Sequence, residues 1–119
     1  MKIAGFGFRS SVTHAALADA LQRAGGAAGL TALATAQDKV AGLQAFGESL
    51  GLPVIGLARE ALQAVQTPTQ SARVKAQFGT GSLAEAAALA AAGPGAKLRG
   101  RRCQSADGAA TCAIAGGTA

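Results

Sequence analysis

Apolar residues recur along the chain in short blocks whose period switches between strand-like and helix-like. Residues 2–8 (KIAGFGF) read as a buried strand of Ile3, Ala4, Phe6 and Phe8, with Gly5 and Gly7 allowing another backbone to approach closely. Leu17, Leu21 and Ala24 stand at i, i+4 and i+7, which predicts a helix over 14–24. Ser10, Ser11 and Thr13 offer caps before it, and Gly25-Gly26 stops it. Residues 30–35 (LTALAT) read as a second strand. Asp38 reads as the N-cap of a helix over 39–50, whose Leu43, Phe46 and Leu50 share a face and which Gly51 ends. Leu52, Val54 and Ile55, with Pro53 at the start, make a short third strand.

The middle of the chain is helical. A short helix covers about 58–65. Thr67-Pro68-Thr69-Gln70 has the form of a capping box with proline at the first helical position, opening a helix that runs to Phe78 and stops at Gly79. Ser82-Leu83-Ala84-Glu85 is a second capping box; it opens an alanine-rich helix over 83–92, closed by Gly93-Pro94. Residues 97–103 and 109–115 flank Asp107-Gly108, read as the two-residue type I′ turn of a hairpin. That turn sets Cys103 opposite Cys112 as a non-hydrogen-bonded pair, with Cα atoms about 4.5 Å apart. Such a spacing admits a disulfide; two reduced thiols packed as small apolar groups are the expectation for a cytoplasmic protein. A single domain over 1–115 is expected, with 116–119 as a flexible tail. Strand–helix–strand–helix–strand at this spacing implies right-handed crossovers. The fold class is therefore α/β: three layers, α/β/α, around a mixed five-stranded sheet of three parallel strands plus a C-terminal β-hairpin. The expected order is 3-2-1, with the hairpin beside strand 1.

Composition adds a packing constraint. Alanine supplies 32 of the 119 residues, whereas Leu, Ile, Val, Met and Phe together supply 25. A core of such small side chains depends on close contact between backbones. Charged residues make up 14% and the net charge is +5, which argues against a disordered polyelectrolyte. No apolar run approaches the roughly 18 residues of a membrane span, and the apolar stretch that Arg9 stops is too short for a secretory signal. A cytoplasmic protein with no membrane association is expected. Eleven Lys and Arg against six Asp and Glu favour an anionic partner. Nucleic acid fits poorly: single strands need aromatic platforms, and the chain has four Phe, no Trp and no Tyr. A small polyanionic metabolite fits better.

Candidate chemistry clusters where strands end and helices begin. GFGFRSS (residues 5–11) reads as a Gly-x-Gly turn leaving strand 1. The dinucleotide fingerprint needs a third glycine where Ser10 stands and an acid near the end of strand 2, and residues 25–36 contain none. The anion-binding physics of a helix N-terminus survives without a nucleotide. Arg9, Ser10, Thr35, Lys39, Thr80 and Ser82 are expected to converge at the C-terminal edge of strands 1 and 2. Gly81 and Glu85, beside the last two, complete the candidate ligand-binding set. Lys97, Arg99 and Arg101 alternate along one strand face and read as solvated edge protection. His14, the only histidine, has no Cys or acid cluster beside it, so neither a metal nor a cofactor is expected. No catalytic constellation can be assembled.

Four segments together resemble a known family: GFGFRSS at 5–11, ATAQDK at 34–39, GTGSLAEAAAL at 79–89 and ATCAIA at 110–115. In order and spacing they are similar to CobE, the stand-alone cobalamin biosynthesis protein related to the C-terminal domain of CbiG. The resemblance implies a corrin-pathway ligand: a precorrin-type tetrapyrrole of the aerobic pathway, whose acetate and propionate groups would meet Arg9 and Lys39. It also implies two alternatives. One is a hydrolase opening the lactone of a precorrin, with Glu85 the nearest candidate base. The other is a docking subunit for other corrin-pathway enzymes.

Overall fold

The structure, a computed structural model, describes residues 1–68, 70–72, 74–75 and 82–117. β1 (Lys2–Phe8) leads into α1 (His14–Ala24), then β2 (Ala32–Ala36). A single 3₁₀ turn (Gln37–Lys39) precedes α2 (Val40–Leu50) and β3 (Val54–Leu57). α3 (Arg59–Gln63) and α4 (Leu83–Ala92) follow, then β4 (Lys97–Leu98), β5 (Cys103–Gln104) and β6 (Ala110–Gly116). The sheet runs β3-β2-β1-β6-β4, with β5 also on β6. β1, β2 and β3 are parallel; β6 lies antiparallel to β1. The α/β class, the mixed sheet and the 3-2-1 order are as the pattern predicts. No helix among the described residues is long and apolar enough to cross a membrane.

Helices cover both faces. Phe6, Leu33, Cys112 and Ile114 of the sheet pack with Leu17, Leu21, Leu43 and Phe46 of α1 and α2. Ile3, Ala32, Ala34 and Ala36 pack on the other face with Leu62 of α3 and Leu83, Ala86 and Ala87 of α4. Phe6 meets Phe46 edge to face, with ring centroids 5.8 Å apart, an arrangement that adds to area burial. On the α4 face the small side chains decide the geometry. A Cβ on Gly5 would overlap the carbonyl oxygen of Ala84 and lie 2.6 Å from the Ala88 nitrogen. Both glycines sit inside β1, and Gly5 admits the backbone of α4, whereas a Cβ on Gly7 would meet Leu83 at an ordinary 3.5 Å. The pair is not a turn leaving the strand, as the motif suggested.

The structure corrects several boundaries. Six strands replace the expected five, because the predicted strand over 97–103 is two pieces. β4 pairs Lys97 with Gly116 and Leu98 with Ala115, whereas β5 pairs Cys103 with Cys112 and Gln104 with Thr111. The register slips by two residues between them, so Gly100, Arg101 and Arg102 form a bulge. The hairpin turn is not type I′. That type needs positive φ at both central residues, and among the described residues none other than glycine has positive φ, Asp107 included; Gly108 is at +72°. Gly108 N donates to Ser105 O at 2.9 Å, and Ser105 N to Ala110 O at 2.8 Å, which leaves a four-residue loop over 106–109. Two- and four-residue loops centred on the same bond give the same partners, so Cys103 still faces Cys112. The parity differs: 105/110 is a hydrogen-bonded pair, so 103/112 is too, with Cα atoms about 5.5 Å apart. Both cysteines are free thiols.

Asp38 does not cap α2. It lies within the 3₁₀ turn, and the cap position belongs to Lys39, whose side chain makes no capping bond to the helix. Nor does Thr67 open the next helix. The Gln70 amide donates to the Thr67 carbonyl, and Ser71 takes the capping role, its hydroxyl accepting from Val74 N. The remainder of that expected helix, through Phe78 and Gly79, lies outside the described residues. At the C-terminus, Gly116 belongs to β6, and Gly117 N donates to Met1 O at 2.8 Å.

Candidate functional site

The C-terminal ends of β1 and β2 and the start of antiparallel β6 meet at one edge of the sheet. Arg9 N donates to Ala109 O at 3.0 Å, which ties the end of β1 to the hairpin. Val12 N donates to Arg9 O, turning the chain so that Thr13 caps α1 through Ala16 N. After β2 the 3₁₀ turn throws Lys39 back across the sheet. Its Nζ donates to Phe8 O at 2.7 Å and stands 4.9 Å from the centroid of the Phe8 ring. Lys39 is thus pinned at the end of β1. On the opposite face Ser82, 1% exposed, accepts from Glu85 N and starts α4. Ser82 capping is the predicted one.

These pieces enclose an open cleft of about 620 Å³. Arg9, Ser10, Lys39 and Ser82 line it together. Thr35 does not: it is fully buried below the edge, and its hydroxyl donates to Phe6 O at 2.9 Å. That bond holds the side chain within the sheet, where a ligand has no access. Glu85 is 2% exposed and outside the lining. Thr80 and Gly81 lie outside the described residues.

Sequence reasoning missed one wall of the cleft. Ser71 and Val74 contribute from the helical turn before α4, and Arg102, Gln104 and Thr111 from the edge hairpin. The available signal was parity. Directly paired residues share a face and alternate along a strand, so Gln104 and Thr111 share the α4 face while Cys103 and Cys112 share the other. Lys97, Arg99 and Arg101 fall on the face away from the cleft. The Arg99 guanidinium accordingly lies against Gly116, whose partners on that face include Cys112 and Ile114.

Three cationic side chains therefore border the cleft, Arg9, Lys39 and Arg102, and none of its described lining residues is acidic. The carboxylate of Asp107, at the hairpin tip, is taken up locally. It accepts from Ser105 Oγ at 2.6 Å and from Ala109 N at 3.0 Å. The Ser105 hydroxyl, more than any other group, holds its pKa below the ordinary carboxylate range, and the charge of Arg9 acts in the same direction. His14 packs edge-on against Phe46 at 5.1 Å, away from these groups. Among the described residues no three His, Cys, Asp or Glu converge as metal ligands. Guanidinium, ammonium, hydroxyl and amide groups are carboxylate-binding chemistry.

Residues 2–115 match the family model described as the cobalamin synthesis G C-terminus. Two solved structures are similar along nearly the whole chain. CobE, a protein from the cobalamin (vitamin B12) biosynthetic pathway, is 33% identical, with 97% of this chain and 92% of that one covered and a TM-score of 0.80. Cobalamin biosynthesis protein chiG from Agrobacterium tumefaciens is 32% identical over 100% of both chains, with a TM-score of 0.74. No curated protein sequence gives a significant match.

Proposed function

The chain belongs to the family of cobalamin synthesis G C-terminal domains and is a cobalamin biosynthesis protein; from that premise we propose that it binds a precorrin-type tetrapyrrole of the aerobic pathway in the cleft at the end of β1. The observation that carries the reading is the placement of Arg9, Lys39 and Arg102 around one open cleft whose described lining holds no acid. Precorrins bear several acetate and propionate groups, and a cleft with cations but no competing carboxylates suits such a ligand. Capture of a carboxylate by a guanidinium is charge-assisted and directional. Lys39, bonded to Phe8 O, lines the cleft and ties the turn after β2 to the end of β1.

Lactone hydrolysis by this chain finds less support. Its candidate base, Glu85, is buried and outside the cleft lining.

The test is a titration with a stable octacarboxylate porphyrin, followed by its strong visible absorbance. Saturable, salt-sensitive binding is expected, with the carboxyl-esterified porphyrin failing to bind. Arg9→Ala should weaken binding by about 10- to 100-fold, the worth of one charge-assisted bond of roughly 1.5–3 kcal/mol. Absence of saturable binding, or equal binding of the ester, would refute the reading.

A further inference from the structure

The bulge between β4 and β5 has a consequence for ligand size. Three residues, Gly100, Arg101 and Arg102, stand opposite Ala113 alone, because Arg99 N donates to Ile114 O while Cys103 already pairs with Cys112. Bulges re-aim side chains, and here the bulge sits at a sheet edge beside the cleft. Counting back from the paired positions, Arg102 falls on the same face as Gln104, and Gln104 is the direct partner of Thr111. All three line the cleft. One guanidinium, one side-chain amide and one hydroxyl thus share a single patch at the far side of the hairpin. Among the described residues no ion pair or side-chain hydrogen bond occupies Arg102.

We propose that Arg102, Gln104 and Thr111 form a second carboxylate subsite, separate from the one at Arg9 and Lys39. The inference rests on the tetrapyrrole reading and deepens it. Arg9 leaves the end of β1, and Arg102 precedes β5, with β6 between those strands. Two strand spacings, about 10 Å across the sheet, separate the two backbone positions, and Arg9 is level with Ala109 whereas Arg102 is level with Ala113, a further four residues or roughly 13 Å along β6. A small anion does not span such a separation unless both side chains stretch towards each other. A broad, rigid molecule with carboxylates on different edges does, and each subsite then holds one of them. The site consequently selects against ligands whose carboxylates lie close together.

Arg101 supplies an internal control. It carries the same charge one residue earlier, and its position falls on the opposite face. Arg101→Ala and Arg102→Ala change the net charge equally. In the octacarboxylate porphyrin titration, Arg102→Ala is expected to weaken binding at least tenfold and Arg101→Ala by less than twofold. Arg102→Lys should recover part of the loss, since it restores a point charge without the fork. Equal losses in the two alanine variants would mean a diffuse charge effect and overturn the subsite, as would an unchanged affinity in Arg102→Ala. Failure of the unmodified chain to bind the porphyrin at all would instead remove the tetrapyrrole reading, and the subsite with it. Far-UV circular dichroism melts of each variant separate lost binding from lost folding.

Discussion

Replacing Gly5 with alanine places a methyl group between β1 and α4. The added carbon would overlap the Ala84 carbonyl oxygen, lie 2.6 Å from the Ala88 nitrogen and touch the Ala88 Cβ at 3.0 Å. Ordinary contacts are about 3.5–4 Å, so strand and helix must separate by about 1 Å. Two of the three neighbours are backbone atoms, which no rotamer change moves aside. The buried first half of α4, Leu83 to Ala88, moves with them. Overpacking costs about 1–3 kcal/mol, and this site belongs at the upper end, near 3 kcal/mol. Alanine also reduces the freedom of the unfolded chain, an offset of about 0.4–1 kcal/mol at most. The net loss should be about 2–3 kcal/mol, a large share of the roughly 5–15 kcal/mol typical of a domain. Because the chain has no Trp or Tyr, urea unfolding is best followed by far-UV circular dichroism. Gly100→Ala is the control: nothing lies within 4 Å of its added carbon, and a change within about 0.5 kcal/mol is expected. Ala88→Gly in the Gly5→Ala background removes only the side-chain part of the clash and should not restore stability. A Gly5→Ala variant within 1 kcal/mol of the parent, or full rescue by Ala88→Gly, would refute backbone contact as the reason for glycine at this position.

Other outcomes follow from the same contacts. Lys39→Ala should destabilise the fold by about 1–3 kcal/mol in thermal melts, through loss of the charge-assisted bond to Phe8 O and the ring contact; a surface-like loss near zero would contradict the pinned geometry. Ser82→Ala removes the α4 cap and leaves Glu85 N without its side-chain acceptor, for about 1–2 kcal/mol. Asp19 is held below the ordinary carboxylate range chiefly by Ala106 N and then by Arg23, and Asp107 chiefly by the Ser105 hydroxyl. A depressed folded pKa stabilises above the unfolded value and loses that contribution as pH falls through the folded one. The melting-temperature gap between the parent and Asp19→Ala should therefore be present at pH 7 and close below about pH 4; a gap unchanged at pH 3 refutes the assignment. Burial, reinforced by the neighbouring Cys103, pushes the Cys112 thiol well above its usual range. A thiol-specific reagent should label Cys103 in the native protein and reach Cys112 only on unfolding.

Much of the architecture is local and so was legible. The 3.6-residue spacing in α1 and α2, the Ser82 cap and the glycines ending the helices each depend on neighbours a few residues away. Strand–helix alternation and handedness then restrict the parallel order. The hairpin shows how far such reasoning holds. The Cys103–Cys112 pairing survived an error in turn type because two loop lengths share a centre. The parity of the pair, which depends on turn hydrogen bonds, did not.

The cleft required the tertiary structure. Arg9 and Lys39 follow strands, a position that marks ligand sites in open sheets, and both line it. Thr35 satisfies the same rule, yet its hydroxyl finds Phe6 O in the adjacent strand, a partner 29 residues away that no local pattern reveals. Glu85 has a capping-box spacing whatever surrounds its side chain; its burial away from the cleft lining is set by the assembled fold. Arg102 was overlooked beside Lys97, Arg99 and Arg101, although the same alternation sets it on the other face; that this face meets the cleft is decided by the assembled sheet. Residue spacing encodes periodicity and caps because those are one-dimensional properties of the chain. Which face meets a cavity depends on register between segments far apart in sequence, and that is settled only when the sheet is assembled.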